Sequence, residues 1–127
     1  MLKVRLFVIA VAFIIGSGCS RKIMTIEERL ATLPADTVFS IEADSAFSGA
    51  WEIRLRQPVD HHNPDGPQFT QQVFLYYAGA DRPVVVETEG YGARGGRNEL
   101  ATLLNANFIR IEHRYFEESK PDSAGWE

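Results

Sequence analysis

The sequence predicts an α/β domain in which antiparallel strands come first and a parallel βαβ unit follows. Two patterns carry the prediction. Between Trp51 and Arg56 the apolar Trp51, Ile53 and Leu55 alternate with Glu52, Arg54 and Arg56, the period of two expected of a sheet with one wet face. From Pro83 onward a continuous Val84-Val85-Val86 run, a glycine-rich turn, a leucine-bearing helical stretch and the apolar Phe108 to Glu112 segment read as strand, turn, helix, strand.

The chain opens on residues that belong to no domain. Lys3 and Arg5 precede an unbroken apolar run from Leu6 to Ile15 and then Gly16-Ser17-Gly18, so residues 1–18 read as a secretory signal peptide. Ten apolar residues are too few to span a bilayer. The 109 residues left after cleavage would hold eleven basic against seventeen acidic side chains, a net charge of −6. An acidic chain without a basic cluster argues against nucleic acid as a partner.

The sole cysteine, Cys19, follows the small-residue end of that run. Exported proteins normally pair their thiols, so an odd one stays free or modified. The placement resembles the bacterial lipoprotein signal, in which the cysteine is acylated and becomes the new amino terminus. Gly16 departs from that signal, which usually has leucine there, and the alternative is ordinary cleavage to a soluble periplasmic protein. Acylation would hold the chain on a membrane at about 0.8 kcal/mol per buried methylene. Residues 19–24 would then be a lipidated tether. Ser20 after the cysteine, by resemblance to enteric lipoproteins, points to the outer membrane facing the periplasm.

Folded structure is expected over residues 25–127. Thr25 with Glu28 three residues on forms a capping-box pattern, and Leu30 and Leu33 give a short apolar stripe before Pro34 ends it. Val38 to Glu42, Trp51 to Arg56 and Phe69 to Tyr77 read as strands, with Gln57 to Gln68 as loop and Ala78 to Arg82 as turn. The valine run reads as a central strand covered on both sides. Gly90, Gly92, Gly95 and Gly96 free the backbone for a tight path, Asn98 caps a helix with Leu100, Leu103 and Leu104 on one face, and Phe108 to Glu112 closes the unit. Ligands at parallel sheets collect at the carboxyl ends of strands, here Glu87 to Arg94 and His113 to Pro121.

Several blocks agree in order and spacing with one known group. Gln57-Pro58-Val59-Asp60-His61-His62-Asn63-Pro64, Phe69-Thr70-Gln71-Gln72, Glu89-Gly90-Tyr91, Glu99-Leu100, Leu104, Asn105-Ala106-Asn107 and Glu112-His113-Arg114-Tyr115-Phe116 with Ser119 and Pro121 resemble the secreted bacterial tripeptidyl aminopeptidases. These are serine peptidases of the α/β-hydrolase clan, distantly similar to the lysosomal Pro-X carboxypeptidases. The resemblance covers about Trp51 to Trp126. It implies the amino-terminal part of an α/β-hydrolase sheet, incomplete here, whose serine, aspartate and histidine come later in the chain. In relatives the serine sits in a Gly-x-Ser-Lys-Gly-Gly block. No Gly-x-Ser-x-Gly occurs here: none of Ser45, Ser48, Ser119 and Ser123 has a glycine two positions away on both sides. The chain alone is therefore expected to be an inactive fragment, with its nucleophile beyond Glu127.

The resemblance implies two roles at one turn. The turn after the third hydrolase strand supplies a backbone amide to the oxyanion hole, which makes Gly90 and Tyr91 the candidate donors; a structural glycine turn is the alternative. Glu89 is the candidate for the substrate's terminal ammonium, with a solvated or arginine-paired glutamate as the alternative. Peptide is the implied substrate, and no metal or organic cofactor is implied. Asp60, His61 and His62 form a metal-like cluster by composition only, since adjacent histidines splay apart and no third ligand stands at a familiar spacing. Along an extended strand Glu112 and Arg114 share a face and are placed to pair, leaving His113 and Tyr115 in the wall below the site. A different function class also fits the sequence: a small non-catalytic envelope lipoprotein that binds a ligand or partner.

Overall fold

The computed structural model describes residues 23–121. The expected signal peptide, Cys19, most of the expected tether, Ser123 and Trp126 lie outside the described residues. Two short helices and five strands run in the order α1 (Ile26–Leu30), β1 (Ala35–Ile41), β2 (Gly49–Pro58), β3 (Gln68–Tyr77), β4 (Val84–Glu89), α2 (Glu99–Leu104) and β5 (Asn107–Glu112). The strands form one mixed sheet ordered β1-β2-β3-β5-β4. Strands β1, β2, β3 and β5 pair antiparallel in sequence across it, while β4 and β5 are parallel and joined through α2. The expected α/β class with antiparallel strands first is what forms.

Local chemistry starts and stops the elements. Thr25 caps α1 through a complete capping box: its hydroxyl accepts from the Glu28 amide, and the Glu28 carboxylate accepts from the Thr25 amide. Asn98 caps α2 by accepting from the Ala101 amide, and Asn105 ends it in the left-handed region at φ 51°, which asparagine tolerates better than most residues.

The sheet has two unlike faces. On one, α1 lays Leu30 against Ile53 and Val73, with Trp51, Leu55, Leu75, Ile109 and Ile111 around them. On the other, Phe74, Tyr76 and Phe108 pack under the Gly-rich loop and α2 with Phe47, Ala50, Ala93, Ala101 and Ala106. Fully burying side chains such as Phe108 stabilises by about 1.5–3 kcal/mol each.

Two expectations about the βαβ unit are corrected. The valine run is the edge of the sheet, not its centre: Val84 and Val86 are 54% and 57% exposed, because among the described residues no strand pairs with the outer side of β4. The strands buried in the middle are β3 and β5. Helix α2 reaches the core through Ala101, a small residue that lets backbone approach backbone, and leaves Leu100, Leu103 and Leu104 exposed. A continuous apolar run marks a strand that needs cover, but it does not say which side supplies it.

Candidate functional site

The carboxyl ends of β4 and β5 lie side by side, with Glu89 and Glu112 as register partners. The chain leaves β4 through Gly90 and Tyr91 and leaves β5 through His113 and Arg114, so both segments singled out in the sequence meet at one end of the sheet. The His113 amide donates to the Glu89 carbonyl at 2.8 Å and ties the two exits together.

At the β4 exit, the Gly90 amide donates to Glu89 Oε1 at 3.1 Å and the Tyr91 amide to the same oxygen at 3.4 Å. Two backbone donors converging on one carboxylate oxygen form a small anion nest. Gly90 backs onto the His113 ring, where an added Cβ would stand 3.2 Å from Nδ1. Gly92 follows at φ +94°, a conformation that favours glycine, and a Cβ there would meet Glu117 Cγ at 3.0 Å. Tyr91 is 91% exposed and its ring meets the Phe116 ring edge-on at 5.9 Å between centroids, and the His113 ring meets Phe116 edge-on at 6.0 Å. His113 is exposed, so it belongs to the rim of this end and not to a wall beneath it.

At the β5 exit lies a buried polar clip. Glu112 is 0% exposed; its Oε1 accepts from the Ala93 amide at 2.9 Å and its Oε2 from the Ser119 hydroxyl at 2.6 Å. The Ser119 oxygen in turn accepts from the Gln72 amide at 2.9 Å, and Gln71 Nε2 donates to the Glu112 carbonyl at 2.8 Å. This clip fastens the Gly-rich loop and the 113–121 segment to β3 and β5. Sequence reasoning missed it, although Glu112 and Ser119 stood in the blocks that carried the resemblance. The expected Glu112 to Arg114 pair does not form, because each side chain is committed elsewhere. Arg114 donates to the carbonyls of Pro58 and Val59 at 2.9 and 2.5 Å and to His61 Nε2 at 2.5 Å, and lies over the Phe69 ring.

The Asp60, His61 and His62 group is drawn apart by the same loop. Asp60 Oδ1 accepts from the His62 amide at 2.8 Å while His61 faces Arg114. Among the described residues no three potential metal ligands come together. An open groove of about 460 Å³ lies beside the site, lined in part by Glu52, Gln72, Tyr91, Glu112 and Glu117.

Comparison with known proteins now adds to this geometry. The prolyl tri/tetrapeptidyl aminopeptidase of Streptomyces mobaraensis is 38% identical over 76 residues, which cover 58% of this chain and 16% of that protein. The chain thus matches a small part of the relative's length. The family model for PS-10 peptidase S37 matches residues 19–127. With that match spanning the sheet, the turn at Glu89 and the clip at Glu112, the chain belongs to the PS-10 peptidase S37 family of serine peptidases.

Proposed function

We propose that the chain is the amino-terminal portion of an exported serine aminopeptidase of the tripeptidyl type, held in the cell envelope by a lipid on Cys19. Membership of the family and the printed activity of the relative support the chemistry. The observation that carries the site is the pair of amides, Gly90 and Tyr91, directed at one oxygen at the end of a parallel strand. In an acyl transfer through a serine ester, such donors belong where the tetrahedral intermediate's charge develops, and one is worth about 2.7–4 kcal/mol. Glu89 beside them is the group for the substrate's ammonium. This reading takes the sheet as the opening of an α/β-hydrolase sheet, in keeping with antiparallel strands leading into a βαβ unit.

The reading places serine, aspartate and histidine outside these 127 residues, in keeping with the small share of the relative that the chain matches. A tripeptidyl reporter assay on the purified 127-residue chain is expected to give no turnover, and turnover abolished by substituting one of its own residues would overturn that placement. For the anchor, a radiolabelled palmitate is expected to enter the wild-type chain and not Cys19→Ser. Equal labelling of both would remove the lipid from the proposal, and with it the outer-membrane location facing the periplasm.

A further inference from the structure

The two roles proposed at the β4 turn compete for the same atoms. Gly90 and Tyr91 donate to Glu89 Oε1, so the nest meant for a substrate oxyanion is filled by the chain's own carboxylate. Two negative oxygens cannot share those donors. A tripeptide in extended form spans about 10 Å from its ammonium to its last carbonyl, at roughly 3.3 Å per residue. A carboxylate lying on the nest is therefore too close to the scissile carbonyl to reach that ammonium, and it must swing away to meet it.

The surroundings leave the side chain free to do so. Glu87, two residues earlier, is held by Arg110 at 3.1 Å and by Asn98 at 3.1 Å, whereas among the described residues no arginine or lysine pairs with Glu89. The backbone at the same position is fixed, because the Glu89 carbonyl accepts from His113 and Gly90 abuts the His113 ring. The movable part is the carboxylate arm alone.

We propose that Glu89 gates the nest, occupying the Gly90 and Tyr91 amides until a primary ammonium draws its carboxylate off. This deepens the aminopeptidase reading and rests on it for the identity of the trigger. Recognition of a free amino terminus and release of the oxyanion donors become one movement. A peptide with a blocked amino terminus leaves the nest filled, so the gate is a specificity device as well as a binding group.

The test follows the Gly90 and Tyr91 amide resonances of the 127-residue chain by NMR, with acetate, H-Gly-Gly-Gly-NH2 and its N-acetyl counterpart as probes. Acetate is expected to shift both amides in Glu89→Ala, to shift them less in Glu89→Gln, and to leave wild type unchanged. The free-amine tripeptide is expected to move both amides in wild type, and the acetylated one is not. Equal acetate responses in wild type and Glu89→Ala, or none in either variant, would overturn the filled nest itself. Acetate binding confined to the variants, with no response of wild type to either peptide, would overturn the ammonium trigger and count against the aminopeptidase reading while the nest stands. The conservative Glu89→Gln keeps the comparison readable if the alanine variant loses its dispersed spectrum.

Discussion

Glu89 and Glu112 occupy register positions on neighbouring parallel strands, yet Glu112 is a buried fastener and Glu89 a half-buried arm. Glu112 has no exposure and is satisfied by a hydroxyl and an amide from two separate segments, so its loss would orphan groups that water cannot reach. Glu89 is half-buried, and among the described residues its side chain is satisfied by the two amides that follow it in sequence. The difference teaches that a carboxylate's role follows from where its partners come from. Partners distant in sequence make it a structural joint, and partners next door leave it replaceable by solvent or by a ligand.

That contrast can be broken most sharply at Glu112. Glu112→Ala is expected to lower the unfolding free energy by about 3–4 kcal/mol in urea titration, because charged hydrogen bonds are lost and buried donors are left bare. Ser119→Ala, which removes one hydroxyl between Glu112 and Gln72, is expected to cost about 1–3 kcal/mol by the same measurement. Asn98→Ala removes the α2 cap and is expected to cost about 1 kcal/mol, with faster amide exchange confined to Glu99 to Thr102. Glu89→Ala is expected to shift stability by no more than about 0.5 kcal/mol, since solvent can serve the two amides. A loss at Glu89 as large as at Glu112 would erase the distinction between joint and arm.

The sequence was most legible where chemistry is local. The Thr25 capping box, the Asn98 cap, the alternating Trp51 to Leu55 pattern and the turn of the βαβ unit all follow from residues within a few positions of one another. The class of the sheet came with them. What stayed hidden depended on partners far along the chain. Val84 to Val86 show the composition of a covered strand but stand at an edge, and the helix leucines show an apolar face that nothing among the described residues covers. At the candidate site the Glu89, Gly90 and Tyr91 turn was readable as the carboxyl end of a parallel strand, while the roles given to it came from resemblance alone. The clip was not, because Glu112 reaches back 19 residues to Ala93 and Ser119 reaches back 47 to Gln72. Strand alternation placed Glu112 and Arg114 on one face but could not foresee that each would find a better partner elsewhere.

Arg114 also orders events in time. The β2 and β3 hairpin is contiguous in sequence and its register needs nothing further downstream, yet its connecting loop is closed by a guanidinium that bonds Val59 from 55 positions later. At a synthesis pace of about 5–20 residues per second, the 37 positions from the end of β3 at Tyr77 to Arg114 correspond to about 2–7 seconds. For that interval the hairpin exists with its loop unlatched. Ribosome-stalled chains ending before and after Arg114 would therefore differ in how readily a protease cuts between Asp60 and Pro67.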